Sequence, residues 1–526
     1  MRGAAFALLA LAPLAAQVTY KQILEADRRP ENWLTYSGNY SAHRHSGLAQ
    51  ITPANVAQLT PLWVYQTTSL GKVETTPLVI DGVMYITEPA SDVTALDTRT
   101  GRPLWKYKRP VPADVRICCG LVNRGVAALG DLLFIGTVDA HLIALDARTG
   151  QVRWDTKVAE YKTGHAITAA PLVVKDKVVV GMAGGEYGVR GFLDAYDART
   201  GARAWRFWTV PAAGEKAYET WAGSSAATGA ATTWVTGSYD PELNLVYWGT
   251  GNPGPDWNGE VRQGDNLYSD CVLAIDADTG KLKWHFQFTP HDVHDWDSTE
   301  VPVLIDAVVR GERRKLLLFA NRNGFYYVLD RRSGQFLSAK SFVKQTWVKG
   351  FDDSGRPMLE PGKDPTVSGT LVFPSVPGGT NWFSPAYSPE TRMFYVAARE
   401  EGELYYIGEA DYKPGVRFDG GGIRLVPGAE SYGAIRALKA TTGELVWEFR
   451  LHSPPWGGVL STAGGLIFGG TEEGDIFALD AVTGKSLWRF QAGGPMKSNP
   501  MSYQSEGKQY IAIAAGAAIF TFGVGH

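Results

Sequence analysis

Along most of the chain, short apolar runs are separated by Gly, Asp, Asn and Pro. TPLVIDGVMYI at 76–86 and APLVVKDKVVVGM at 170–182 each read as two strands around a tight turn. Such hairpins lead into a recurring motif of a small residue, an apolar residue, Asp, two variable residues, Thr-Gly, three more and Trp. It occurs as ALDTRTGRPLW ending at Trp105, ALDARTGQVRW at Trp154, AYDARTGARAW at Trp205, AIDADTGKLKW at Trp284 and ALDAVTGKSLW at Trp488. ALKATTGELVW, ending at Trp447, has Lys439 in place of the Asp, and VLDRRSGQFLS is a worn copy ending at Ser338. In each copy the Asp accepts turn hydrogen bonds, the Gly supplies an open backbone position, and the next strand carries the Trp toward the core.

The spacing of the turn glycines (101, 150, 201, then 443 and 484) fits units of four short strands, the size of a propeller blade. The wider intervals, 201–280 and 334–443, leave room for loops on one face. Trp63, in LTPLWVY, has no preceding turn. A closed ring accounts for it, with the N-terminal strand completing a blade begun by the C-terminal strands near GKQYIAIAAGAAIF. Closure removes free sheet edges. The expected fold is all-β: one eight-bladed β-propeller with tryptophan-docking repeats over 17–526. A pair of β-sandwiches fits the single period poorly.

With 44% hydrophobic residues, 526 positions suffice for a large core. A formal net charge of −3, without a basic tract, argues against a nucleic-acid partner. Residues 1–16, MRGAAFALLALAPLAA, read as an export signal, the rival being a buried helix. No later stretch is long and apolar enough to span a membrane. Cys118 and Cys119 are adjacent, and Cys271 is the only other cysteine. Adjacent cysteines suit neither a common zinc site nor an ordinary disulfide. They are either two reduced thiols or a small strained ring, and export to an oxidising compartment favours the ring.

A propeller alone names no function. Candidate chemistry lies in three polar segments: Glu186 in EYGVRG, Asn252 in YWGTGNPGPDWN, and Asp292, Asp295 and Asp297 among His291 and His294 in TPHDVHDWDSTE. Carboxylate and amide oxygens suit a hard cation; the histidines leave zinc or iron open. Asp295 and Asp297 share a side if that segment is extended. Arg124 and Arg322 suit an anionic, oxygen-rich cofactor. Trp234 is either a stacking wall or ordinary core.

Taken in order, the repeats, CCGLVNRG, GGEYGVRG, GTGNPGP, TPHDVHDWD, NRNGFYYVLDR and PPWGGVL resemble the secreted quinoprotein alcohol dehydrogenases that use pyrroloquinoline quinone (PQQ). The resemblance spans nearly the whole mature chain. It implies a Cys118–Cys119 disulfide as one wall of the quinone chamber and Trp234 as the other. It further implies cofactor contacts from Glu74, Arg124, Thr168, Arg322, Asn381 and Trp456. Glu186 and Asn252 are implied metal ligands, and Asp295 the catalytic carboxylate that takes the alcohol proton. Asp297, two residues beyond, is similar to the lanthanide-using branch and adds a further metal-facing carboxylate; Ca²⁺ is the alternative ion.

The implied activity is periplasmic oxidation of primary alcohols to aldehydes. No C-x-x-C-H heme attachment sequence occurs, so a separate soluble cytochrome c is the expected electron acceptor. A homodimer is compatible with the reading. Two departures stand out. Ala183 replaces a hydroxyl found in some methanol enzymes, and His294 replaces a common Trp, with an expected effect on pocket polarity or entrance. The alternatives are a quinoprotein dehydrogenase for sugars or polyols, and a propeller scaffold without catalysis.

Overall fold

A computed structural model describes residues 18–69, 71–309 and 311–525; the signal segment expected at 1–16 lies outside them. Among the described residues, the strands form eight four-stranded antiparallel units, one widened to five by the parallel strand His45–Ser46. Seven units follow chain order, over 78–107, 127–157, 172–208, 238–287, 303–341, 386–451 and 460–491. The eighth joins the chain ends: Leu59–Gln66 pairs with Ala518–Val524 from Leu59↔Val524 to Gln66↔Ala518. The ring therefore closes as the repeat requires, giving the eight-bladed propeller.

The motif explains how neighbouring blades lock together. Its Asp caps the turn: Asp97 Oδ1 accepts from the amides of Arg99 and Thr100, and Asp146, Asp197, Asp276 and Asp480 repeat the pattern. The Trp of one blade covers the turn glycine of the next. Trp105 lies over Gly150, Trp154 over Gly201, Trp205 over Gly280, Trp447 over Gly484, and Trp63 over Gly101. The indoles of Trp63, Trp105, Trp154, Trp205 and Trp447 also donate to carbonyls of the neighbouring turn at 3.0–3.1 Å. Trp488 closes the circle by donating to the Leu59 carbonyl at 3.0 Å. In the worn copy, where Ser338 replaces Trp, Tyr326 covers Gly443 and its hydroxyl donates to the Ala440 carbonyl at 2.7 Å.

The two wide intervals hold the loops that complete the site. Residues 209–237 carry short 3₁₀ turns, and 348–425 carry a two-stranded and a three-stranded sheet outside the ring. Among the described residues no helix is long and apolar enough to cross a membrane.

Candidate active site

Loops from several blades enclose a cavity of about 200 Å³. Its lining includes Glu74, Cys118, Cys119, Arg124, Thr168, Glu186, Trp234, Asn252, Asp295, Asp297, Arg322, Asn381 and Trp456. The site residues implied by the resemblance thus line one chamber, although they span nearly 400 positions of the chain, whereas His291, Asp292 and His294 do not line it. Cys118 and Cys119 are disulfide-bonded, with Cα atoms 3.8 Å apart. Cys271 is a buried free thiol, donating to the Ser269 carbonyl.

One side of the chamber is built around Arg124. Its guanidinium pairs with Glu74 at 2.8 Å and donates to Thr168 Oγ1 at 2.9 Å. It lies over two indole rings, 5.0 Å from the centroid of Trp234 and 4.5 Å from that of Trp382. Burial pushes the Glu74 carboxyl above its ordinary range, with Arg124 opposing the rise. The Nε groups of Arg124 and Arg322 and the indole N–H of Trp382 are buried without a protein acceptor. Leaving such donors unmet is costly, so they suit an oxygen-rich anionic ligand. Trp382, next to the expected Asn381, is a lining residue that sequence reasoning missed.

The acidic side holds Glu186, Asn252, Asp295 and Asp297. Asp297 is fully engaged: Oδ1 accepts from the main-chain N–H of Asn252 at 2.8 Å, and Oδ2 accepts from Trp234 Nε1 at 3.1 Å and Arg322 Nη1 at 2.5 Å. Gly251 permits this approach, since a Cβ there would stand 2.3 Å from Asp297 Oδ1. Asp295 meets Arg322 only at 3.7 Å and remains 20% exposed. Its backbone is left-handed, φ +58°, so both aspartates reach the cavity through a strained turn and not through the extended segment expected. Burial raises the carboxyls of Glu186, Asp295 and Asp297; Arg322 works against the rise at both aspartates.

These oxygens fit a hard cation by chemistry. Counting His, Cys, Asp and Glu side chains among the described residues, Cys118, Cys119 and Glu186 are the one trio with ligand atoms within 4.8 Å of one another. The bonded sulfurs offer no thiolate, so that trio is no zinc site. The histidines drop out as ligands. His291 bonds the Gly264 carbonyl, and His294 bonds the Lys363 carbonyl while stacking on Trp296 at 4.3 Å. Neither lines the chamber, so His294 does not set its polarity directly as expected. Asp292 caps the turn through the amides of His294 and Trp296.

Fold and chamber together define a propeller enzyme built around a large polar cofactor. Residues 33–340 and 450–511 match the family described as "PQQ: Glucose/ethanol/alcohol dehydrogenase, beta-propeller domain". The chain is 39% identical to quinoprotein alcohol dehydrogenase PedH of Pseudomonas putida, over 97% of this chain and 90% of that protein. It is 40% identical to quinohemoprotein alcohol dehydrogenase ADH IIB of the same species, over 96% of this chain and 76% of the relative. Among solved structures, the quinohemoprotein alcohol dehydrogenase of Comamonas testosteroni superposes with a TM-score of 0.93 at 35% identity, over 97% of this chain and 83% of that one. A europium-containing methanol dehydrogenase gives 0.90 at 34% identity, over 96% and 100%. The chain belongs to the PQQ-dependent alcohol dehydrogenase family.

Proposed function

We propose that this chain oxidises primary alcohols to aldehydes with PQQ and a lanthanide ion, and passes the electrons to a separate cytochrome c. The observation that carries the reading is the gathering of Glu186, Asn252, Asp295 and Asp297 beside the Arg124 and Arg322 donors in one chamber. Bound PQQ supplies the two-electron oxidant that protein side chains lack.

The chain's own residues divide the remaining work. The Cys118–Cys119 and Trp234 walls would shape the slot, while Arg124, held by Thr168 and Glu74, would present its donors to the cofactor. Asn381 is held by its bond to the Pro377 carbonyl at 2.8 Å, and Trp456 packs edge-on against Phe383, ring centroids 5.9 Å apart. Glu186 and the Asn252 oxygen would hold the metal, with Asp295 and Asp297 beside them. Asp295, lightly engaged and partly exposed, is the carboxylate free to take the alcohol proton at its Oδ atoms. Asp297 holds Arg322 in place. Asp295, Asp297, Glu300 and Asp292 all bear on Arg322, and that excess of acidic groups favours a trivalent ion over Ca²⁺.

The test reconstitutes the enzyme with PQQ and La³⁺ or Ca²⁺ in parallel, against primary alcohols, polyols and sugars. Dye-coupled turnover of primary alcohols, higher with La³⁺, is expected, and Asp297→Ala should lose La³⁺-supported activity preferentially. Turnover of sugars or polyols alone would overturn the substrate assignment; equal activity with both ions would overturn the metal assignment. The N-terminal segment supports export, so the processed chain should be recovered from the periplasmic fraction and not from the cytoplasm.

A further inference from the structure

We infer that Asp256 is a positioning residue: it turns the Asn252 side-chain amide so that the amide oxygen faces the metal position. The inference rests on the metal site proposed above. Asp256 does not line the chamber and is 2% exposed. Asn252 Nδ2 donates to Asp256 Oδ1 at 2.8 Å and to the Pro253 carbonyl at 3.3 Å. The Pro253 carbonyl can only accept, so a flipped amide would set two oxygens against each other. Its oxygen must point the other way. It lies 3.7 Å from where a Cβ on Gly185 would stand, beside the loop that carries Glu186.

The aspartate is held from behind. Buried Arg262 donates to the carbonyls of Pro255 and Asp256 at 2.9 and 3.2 Å, and the Trp257 amide donates to the Asp419 carbonyl at 3.0 Å. The loop is therefore fixed on both sides of the carboxylate, which gives Asn252 a rigid anchor.

Full-length protein loaded with PQQ, as wild type, Asp256→Asn and Asp256→Ala, is titrated with Tb³⁺ by luminescence and with Ca²⁺ by calorimetry. Melting curves establish that each variant is folded. Asp256→Ala, with nothing to hold the amide, should weaken both ions by about 10–100-fold, as loss of an outer partner of a metal ligand does. Asp256→Asn keeps an oxygen for Asn252, so it should bind both ions more tightly than Asp256→Ala does. Wild-type affinity in folded Asp256→Ala would overturn the positioning role, and so would a loss in Asp256→Asn as large as that in Asp256→Ala. Should Asp256→Ala not fold, Asp256→Ser, too short to reach the amide, takes its place. A wild type that binds neither ion would instead refute the metal site itself.

Discussion

Asp297 has three donors on its two oxygens, whereas Asp295, two residues earlier, has one distant guanidinium. Residue identity and spacing do not separate them; the left-handed turn at Asp295 does. A carboxylate held by three donors is a poor base, and one left lightly engaged is available to substrate. Asp295→Asn should therefore lower kcat by about 10²–10⁴-fold, the usual worth of a general base. Bound quinone, read by its absorbance, should be retained. A kcat within tenfold of wild type would remove Asp295 from the proton step. At this scale the sequence marked Glu186, Asn252 and both aspartates by type. Trp382 and Asp256 escaped notice because a lone Trp or Asp in a loop carries no signal until its neighbours are known.

Blade contacts repeat one device, an indole laid on a glycine. Gly280 has φ +69°, and a Cβ there would come 2.7 Å from the Trp205 ring. Trp205→Ala opens a cavity and should cost about 3–5 kcal/mol. Gly280→Ala forces a left-handed alanine, about 1–2 kcal/mol, and adds the clash. The double variant should be less destabilised than the sum of the two, since removing the indole also removes the clash. Thermal melts of the three variants check this; strict additivity would mean that the two positions do not share a contact. The Asp-x-x-Thr-Gly-x-x-x-Trp pattern made this element legible because cap, turn and docking residue all lie within one short segment. The replacement at the worn copy was not legible: Tyr326 lies two residues ahead of the motif, on the strand that leads into its turn, and only packing brings it over Gly443.

Links between the chain ends close the ring, among them the Leu59–Gln66 pairing with Ala518–Val524 and the bond from Trp488 to the Leu59 carbonyl. Removing 518–524 would leave two unpaired strand edges and expose the apolar side chains that now bury that blade. Such a truncation should lower Tm and promote aggregation beyond any single docking substitution. Light scattering during a thermal ramp reads both effects, and a truncated chain melting like wild type would show that closure adds little. The same closure gives the chamber walls drawn from blades far apart in sequence.

The eight-bladed ring followed from the sequence alone, since a repeat that cannot bury its own apolar face must stack on its neighbours and, with complementary ends, close. The chain also displayed the residue types of its site, and those motifs in order sufficed to suggest a quinone enzyme. Tertiary structure decided which of these residues converge. It withdrew His291 and His294 to main-chain carbonyls, bound Asp297 to Trp234 and Arg322, left Asp295 free, and set Asp256 behind Asn252. Turn and docking preferences act over a few residues and can be read locally. The direction of a side chain on a long loop is set by contacts with other blades, which linear order does not reveal.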